Sequence, residues 1–171
     1  MPFIAAYEVP PDADAAFLAA GPCGVVHRAL RRDVLLRWVT VTPAPVSLDV
    51  PFRRHAGAYE VVHEDGDVDG PGGVVLIDAF EVEPGDDARF AAGWHAVRDL
   101  LAGQRGYLGT RLHHGDAGFR YVTVARWSSP LMFFRATQLP AFADLAAGMP
   151  FASYQGLYER VVSAAPPATS T

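Results

Sequence analysis

The chain contains an internal repeat, and no other feature of the sequence constrains its fold as strongly. Four blocks of residues occur twice in the same order, with different spacing between them. The first copies are residues 3–11, 17–20, 37–41 and 51–62, and the second copies are residues 76–84, 90–93, 120–124 and 150–161. A unit of about 90 residues that was duplicated and then diverged accounts for this order and predicts a fold made of two similar halves.

Composition and charge exclude several classes of protein. Half of the 171 residues are hydrophobic, 19% are charged and the net charge is −5. The chain can therefore bury a core, but it lacks the basic surface that nucleic acids and anionic membranes require of a partner. All 14 basic residues other than histidine are Arg, which excludes Schiff-base lysine chemistry. Cys23 is the only cysteine, so neither an intrachain disulfide nor a thiolate metal cluster is expected.

The hydropathy pattern contains no targeting or membrane segment. The first residues lack a basic region followed by an apolar stretch. No run of about 18 apolar residues, the length of a transmembrane helix, occurs anywhere. We therefore expect a cytoplasmic protein.

The second copy predicts a complete β-α-β-β-α-β unit, the arrangement of a ferredoxin-like domain. Apolar runs bounded by turn residues predict its strands, and apolar residues three and four positions apart, from Phe90 to Leu101, predict its first helix. Ser129 and Pro130 predict the start of the second helix, as an N-cap followed by a proline at the first helical position. The expected strands are residues 74–82, 106–114, 119–127 and 156–162, the second helix is residues 131–138, and a short turn covers residues 142–147.

The first copy keeps the strands but loses much of the helical cover. Its first helix, residues 12–20, is short, and the proline-rich residues 43–47 replace the second helix. The acidic, glycine-rich residues 64–73 have the composition of a linker, and residues 164–171 have that of a disordered tail. The predicted organisation is a degenerate repeat at 1–63, a linker at 64–73, a complete repeat at 74–163 and a tail at 164–171.

The fold class is α+β. A four-stranded sheet with helices on one face leaves its other face apolar, and two such sheets packed together bury both faces. We therefore predict two ferredoxin-like (βαββαβ) repeats packed sheet to sheet as an intramolecular dimeric α+β barrel. The chain is then a monomeric pseudo-dimer, and the sequence leaves open whether two chains pair further.

The pleat of the predicted strands collects polar and aromatic side chains on one face. Residues two positions apart share a face of a strand, so Tyr121, Thr123 and Trp127 lie together, and Asp78 belongs to one face of the first strand. If both faces turn toward the helices, these four residues line one cleft between the sheet and the helices. Candidates for the lid of that cleft are Trp94, His95, Phe133 and Phe134.

Asp78 is the most unusual of these residues because a buried carboxylate is costly unless it is paired or hydrogen-bonded. Either a chemical role or a structural ion pair with Arg111 or Arg126 accounts for it. In the first copy Ala5 stands where the second copy has Asp78, and an alanine stands where it has Trp127. We therefore expect one functional cleft, in the second copy, with the first copy as its scaffold.

Four segments of the second copy carry a resemblance to a known family: residues 75–82, 106–113, 121–129 and 149–159. They resemble the antibiotic biosynthesis monooxygenase (ABM) family of dimeric α+β-barrel proteins, and residues 3–62 resemble it more weakly. The resemblance implies the fold predicted above. For one branch of the family it also implies oxidation of a polycyclic phenol or anthrone to a quinone with O₂, without cofactor or metal, in aromatic polyketide biosynthesis.

The resemblance also implies site residues. Trp127 and His113 match positions implicated in that oxidation, whereas Asp78 and Thr123 stand where the family often carries Asn. A cofactor-free oxygenase needs a base or a polar environment that favours the deprotonated substrate, and we take these four residues as the catalytic candidates. The candidates for contact with the substrate are Tyr121, Arg111, Trp94, His95, Phe133 and Phe134.

The function predicted from the sequence is a cofactor-independent monooxygenase whose partners are a small aromatic polyketide and O₂. Two alternatives stay open. One is haem binding or degradation, for which Ala146 stands near the place where such relatives take an axial histidine. The other is a non-oxidative cyclase or helper, because an aspartate and a histidine in an apolar pocket also suit an aldol cyclisation. No His or Cys cluster with the spacing of metal ligands occurs, so no metal is expected.

Overall fold

The computed structural model describes residues 1–161, which form nine β-strands and four α-helices. The strands are β1 (Phe3–Glu8), β2 (Val25–Ala29), β3 (Trp38–Thr42), β4 (Arg53–Ala58), β5 (Glu60–Gly66), β6 (Val74–Phe80), β7 (Tyr107–His114), β8 (Tyr121–Trp127) and β9 (Ser153–Val161). The helices are α1 (Asp14–Ala19), α2 (Asp87–Ala102), α3 (Pro130–Thr137) and α4 (Pro140–Ala147). None of the helices in this part of the chain has the length and apolarity needed to cross a membrane.

All nine strands belong to one sheet, in the order β4-β1-β3-β2-β9-β6-β8-β7-β5. Each repeat contributes four neighbouring strands, and the antiparallel pair β2–β9 joins the repeats. Strands β4 and β5 are separated in the chain by Tyr59 alone, yet β4 pairs with β1 at one edge and β5 pairs with β7 at the other. Because one continuous stretch of chain borders both edges, the sheet closes into a barrel. The predicted intramolecular α+β barrel is confirmed.

Individual hydrogen bonds reproduce the sequence repeat. The hydroxyl of Tyr59 donates to the carbonyl oxygen of Phe119 at 2.8 Å, and the hydroxyl of Tyr158 donates to that of Leu36 at 2.5 Å. Tyr59 and Tyr158 occupy equivalent positions in the repeated blocks, as do Leu36 and Phe119. Each bond is buried and runs from one repeat to the other, so the two halves are joined by a pseudo-twofold pair of contacts.

A second equivalent pair fixes the first helix of each repeat to its sheet. Arg37 binds both carboxylate oxygens of Asp14 at 2.9 and 2.6 Å, and Arg120 binds both of Asp87 at 2.7 and 2.6 Å. Each aspartate is the first residue of its helix, where a negative charge also interacts favourably with the helix dipole. Bidentate arginine–carboxylate contacts fix the orientation of each helix on the sheet as well as its distance from it.

The apolar core has two kinds of layer. Side chains from both repeats fill the barrel interior, among them Val39, Val75, Val122 and Val124. The opposite face of the second repeat's sheet packs on α2, α3 and α4 through residues such as Leu76, Phe90 and Trp127. The predicted strand 119–127 would place Phe119 on the same face as Trp127. Phe119 instead lies in the barrel interior, because β8 begins only at Tyr121.

The first repeat is trimmed as predicted. Helix α1 has 6 residues and its counterpart α2 has 16. No helix lies between β3 and β4 in the described chain. Leu48, Val50 and Phe52 from that segment pack instead against the buried cluster around Phe17 and Trp38. In the first repeat, apolar side chains of an irregular segment thus cover the sheet face that helices cover in the second.

The segment predicted as a linker is held in a defined conformation. Residues 64–66 belong to β5, and the following carbonyl groups accept hydrogen bonds from two arginines. Arg126 Nε donates to the carbonyl oxygen of Asp67 at 2.7 Å, and Arg160 Nη1 donates to that of Gly70 at 2.7 Å. Val68 is buried in the barrel interior. The composition of residues 64–73 predicted a linker and gave no sign of these tertiary hydrogen bonds.

Two further boundaries differ from the sequence prediction. The predicted turn at residues 142–147 is part of the two-turn helix α4, and β9 begins at Ser153 rather than at residue 156. Ser129 caps α3 as predicted, since its side chain accepts a hydrogen bond from the backbone N–H of Met132 at 3.3 Å. The predicted disordered tail, residues 164–171, lies outside the described residues.

Candidate active site

A cavity of about 100 Å³ lies between the sheet of the second repeat and its helices. Strands β9, β6 and β8 form its floor, and α2, α3, the start of α4 and the start of β7 form its walls. Its lining is mostly aromatic and aliphatic, with a few polar side chains, the composition typical of small-molecule sites. The floor and wall residues used below are Leu76, Asp78, Trp94, Arg98, Tyr107, Thr123, Trp127, Phe133, Phe142 and Gln155.

A row of three polar side chains crosses the floor of this cavity. Asp78 of β6 lies directly opposite Thr123 of β8 on one side and Gln155 of β9 on the other. Directly opposed residues on neighbouring strands have Cβ atoms about 5 Å apart. A ligand on this floor therefore meets a carboxyl, a hydroxyl and an amide group within the width of three strands.

Asp78 lacks the ion pair that would make its burial inexpensive. Its Oδ1 atom is buried and has no hydrogen-bond partner within residues 1–161. Burial raises the pKa of Asp78 to about 7, although the hydroxyl of Ser153 acts in the opposite direction. The carboxyl group can therefore release and take up a proton near neutral pH, as a general base requires.

Trp127 presents a second polar group without a protein partner. Its side chain is fully buried and lines the cavity. Its Nε1–H has no acceptor among the residues that the structure describes. Buried polar groups are nearly always hydrogen-bonded, so an unpaired acceptor and an unpaired donor in one cavity indicate a site that a ligand completes.

Trp94 and Thr123 are positioned by each other. The indole Nε1–H of Trp94 in α2 donates to Oγ1 of Thr123 at 2.9 Å, and both side chains are buried. This bond fixes the Trp94 ring as one wall of the cavity and attaches α2 to the floor. Trp94 thus lies at the cavity, as the sequence predicts for a lid residue.

The structure does not bring His113 into this cavity. Its neighbours Thr110 and Leu112 face the helices, so the alternation of β7 turns His113 toward the barrel interior. There its Nδ1 lies 3.1 Å from the carbonyl oxygen of Val122 and its ring packs edge-on against Tyr59. Burial lowers the pKa of His113 to about 4, so the ring is neutral at physiological pH.

The pseudo-twofold relation explains the burial of His113. His27 of β2 lies opposite Val39 as His113 lies opposite Val122, and the two valines are equivalent in the sequence repeat. His27 is also buried, and burial lowers its pKa to about 4. Neither histidine lies in the repeated sequence blocks, so the sequence alone did not link them. Their equivalence favours a structural role inside the barrel.

Arg111, a predicted substrate contact, is used elsewhere. Its Nε donates to Glu64 at 2.8 Å and its Nη2 donates to Asp69 at 2.8 Å, on the side of β7 that faces away from the cavity. Arg126 pairs with Asp67. Neither arginine reaches Asp78, so the structural ion pair considered for that carboxylate is not formed.

The remaining predicted residues lie at different depths. Phe133 lines the cavity, and Phe134 is 50% exposed in an outer groove. Tyr121 faces the helices as expected, but it stacks on Phe90 and its hydroxyl donates to Asp87, so it belongs to the core beside the cavity. His95 is exposed on α2, on the far side of Trp94.

Two parts of the site were missed by sequence reasoning. Gln155 was not considered because only the strand register places it beside Asp78. At one wall of the cavity, Arg98 and Tyr107 both donate to Asp65 of β5, at 2.8 and 2.6 Å. Asp65 comes from the segment predicted as a linker. The segment that joins the repeats therefore takes part in shaping the second repeat's site.

The fold is a barrel of two ferredoxin-like repeats, with an aromatic cavity in the second repeat. Residues 73–148 match the family model of the antibiotic biosynthesis monooxygenases, ABM. The chain therefore contains an ABM domain, which coincides with most of the second repeat and includes the cavity floor from Asp78 to Trp127. The match does not extend into residues 3–62. No curated protein matches the chain.

Solved structures share the fold over nearly the whole chain. An anthrone oxidase-like protein has 15% identity and a TM-score of 0.63, over 95% of this chain and 92% of that one. A haem-degrading enzyme from Listeria monocytogenes has 13% identity and a TM-score of 0.57, over 92% and 98%. A ferredoxin-fold protein from Listeria monocytogenes related to antibiotic biosynthesis monooxygenases has 14% identity and a TM-score of 0.59, over 95% of both. The TM-scores show a common fold. At identities of 13–15% the likeness shows the fold alone, and fold does not fix chemistry.

Proposed function

We propose that the protein is a cofactor-independent monooxygenase that oxidises a polycyclic phenol or anthrone, of the aromatic polyketide class, to a quinone with O₂. One observation carries the proposal. Asp78, whose buried Oδ1 has no hydrogen-bond partner among the described residues, and Trp127, whose buried Nε1–H has none there either, line the same aromatic cavity of an ABM domain.

Asp78 acts as the general base. An anthrone carries a CH₂ group that becomes an electron-rich carbanion when one proton is removed, and such a carbanion can pass an electron to O₂. A carboxylate whose pKa is raised to about 7 is a stronger base than an ordinary aspartate and is still ionised in half or more of the molecules at neutral pH. His113, with a neutral ring in the barrel interior, is not assigned this step.

The reaction balances without an external reductant. One oxygen atom of O₂ enters the product as the new carbonyl oxygen, and the other leaves as water with the two hydrogens of the CH₂ group. The chain's own residues provide the base, orient the ring and limit access of water. The indole N–H of Trp127 donates a hydrogen bond to the oxygen that becomes negative when the proton is removed, which stabilises that charge in a site of low polarity.

Haem is a poorer fit to these residues. Neither the cavity nor the groove beside it is lined by a His or Cys within residues 1–161. No cluster of three or more His, Cys, Asp or Glu side chains suited to a metal ion occurs in the described chain.

The test is O₂ uptake with 1,8-dihydroxyanthrone, measured above the uncatalysed rate. We expect kcat/KM to rise with pH around 7 as Asp78 ionises. Asp78→Asn should lower kcat/KM by about 100-fold, the usual contribution of a general base. Trp127→Phe, which keeps an aromatic wall but removes the N–H donor, should lower it by at least about tenfold.

The matched control is Asp116→Asn, the same change at a carboxylate whose side chain is 93% exposed; its activity should equal that of the wild type. His113→Ala separates the two catalytic assignments, because the proposal expects it to alter stability and not the pH dependence of kcat/KM. Substrate binding without any O₂ uptake would favour the non-oxidative cyclase or helper. A haemin-induced Soret shift that tracks these variants would favour haem binding.

A further inference from the structure

A groove of about 900 Å³ lies outside the cavity and is built by both repeats. One side is the loop between β2 and β3 of the first repeat, residues 30–36, and the other side is α3 with the start of α4. The groove is open to solvent, and several of the side chains that it exposes are apolar. Leu30 is 41% exposed, Leu35 is 49% exposed and Phe134 is 50% exposed. Exposed apolar side chains that share one concave surface indicate a binding surface.

The groove adjoins the cavity. Phe133, Phe142 and Gln155 line both, so these side chains stand at the boundary between the inner and the outer space. Gln155 also stands beside Asp78 in the strand register. A ligand too long for the cavity would have its passage into the groove between these three side chains.

The two volumes determine what the ligand can be. A dry apolar cavity of about 150 Å³ holds a single benzene molecule, so the inner cavity of about 100 Å³ encloses about one ring. Ligand sites for larger molecules measure about 300–1,000 Å³, a range that the groove reaches and the cavity does not. A polycyclic ligand can place one ring at Asp78 only if its other rings lie in the groove.

We infer that the groove is a second binding site for the unreacting rings of the substrate, and that the 30–36 loop of the first repeat is its specificity element. The inference rests on the proposed function for the position of the reacting ring. The ligand is an elongated, largely apolar polycycle with one polar ring inserted into the cavity. Leu30, Leu35 and Phe134 contact its outer rings, and Gln155 hydrogen-bonds a polar group at the passage. The degenerate repeat thus selects the length of the substrate that the ABM domain converts.

Binding can be tested with two ligands of different length, followed by quenching of tryptophan fluorescence. 2-Naphthol is bicyclic, so with one ring in the cavity its second ring reaches only the boundary at Phe133 and Phe142, whereas a tetracyclic naphthacenone must extend along the groove. In Leu35→Glu we expect the naphthacenone Kd to rise about tenfold, because a carboxylate replaces an apolar contact. The Kd of 2-naphthol should stay within about twofold of the wild-type value.

Leu131→Glu is the matched control. Leu131 is 54% exposed on α3 but does not line the groove, so the same change should leave both Kd values unaltered. Both leucines are largely exposed, so the variants are expected to fold, and circular dichroism checks this. The inference is overturned if Leu35→Glu weakens both ligands equally, weakens neither, or if wild-type protein binds neither ligand. Length-dependent binding without O₂ uptake would retain the groove and reject the proposed oxidation.

Discussion

Asp78 is the residue whose protonation state depends most on its surroundings. An isolated aspartate in water is ionised at neutral pH, but this one sits on an apolar floor with one oxygen buried and unpaired among the described residues. Desolvation penalises the charged form, which is why the pKa is raised to about 7. The same environment that makes the group useful as a base makes it costly to the fold.

Because of this cost, the difference in free energy of unfolding between Asp78→Asn and the wild type should depend on pH. In the unfolded chain the carboxyl group loses its proton near pH 4, whereas in the folded protein it keeps it until about pH 7. Between these values the folded state binds more protons, so the contribution of Asp78 to the free energy of unfolding falls as pH rises and levels off above pH 7. The loss is at most about 4 kcal/mol.

Urea unfolding at a series of pH values measures this effect. Asp78→Asn should match the wild type at pH 4 and exceed its stability at pH 8. His27 and His113, whose pKa values are lowered to about 4 by burial, act in the opposite direction below pH 6.5, but both proteins retain them. Parallel stability curves for the two proteins would show that the carboxyl group is not desolvated.

At the scale of elements, α3 shows how a short local signal fixes a wall of the site. The sequence Ser129-Pro130 starts the helix, Phe133 reaches the cavity and Phe134 reaches the groove. Gly106, with a φ of +90°, allows the helix to pack closely, because a Cβ there would lie 2.4 Å from Cβ of Met132. A helix of 8 residues is marginal alone, so its cap and its packing decide whether the wall is ordered.

Removal of the cap by Ser129→Ala should lower the free energy of unfolding by about 1 kcal/mol. The reason is that the side chain of Ser129 accepts a hydrogen bond from the N–H of Met132, a group that has no intrahelical acceptor. Ser128→Ala, one residue earlier and exposed, is the matched control and should change little. Equal effects of the two substitutions in urea unfolding would show that the side chain of Ser129 does not stabilise α3 as a cap.

At the scale of the molecule, the two repeats form one barrel rather than two domains. Strands β4 and β5 are nearly continuous and border both edges of the sheet, and the barrel interior mixes side chains of both halves. The hydroxyl groups of Tyr59 and Tyr158, at equivalent positions, each donate a hydrogen bond from one half to the other. The repeats are therefore expected to unfold together.

Tyr59→Phe and Tyr158→Phe test this coupling. Each removes a buried donor and leaves the carbonyl of Phe119 or Leu36 unpaired, which should cost about 1–3 kcal/mol. Because both bonds join the halves, each variant should shift one common unfolding transition, followed in parallel by fluorescence and far-UV circular dichroism. Tyr154→Phe, whose hydroxyl bonds Glu81 at the surface, should have a smaller effect. Two separate transitions would contradict a single cooperative barrel.

Much of the fold could be predicted from the sequence because its evidence is local or repeated. The pleat assigned Asp78, Thr123 and Trp127 to one face, Ser129 marked a helix start, and equivalent residues such as Tyr59 and Tyr158 follow from the repeat. The site was harder to predict. Its neighbours come from register and closure, and neither Gln155 nor Asp65 carries a local signal of where it will lie.

The sequence by itself determined the duplication, the order of strands and helices, and the presence of an acid, Asp78, in the middle of an apolar strand. These depend on propensity and periodicity, which act over a few residues. Tertiary structure alone decided that His113 faces the barrel interior, that Arg111 and Arg126 serve the segment between the repeats, and that a loop of the degenerate half borders the other half's groove. Those outcomes depend on how the sheet closes, and closure brings together residues that are far apart in the chain.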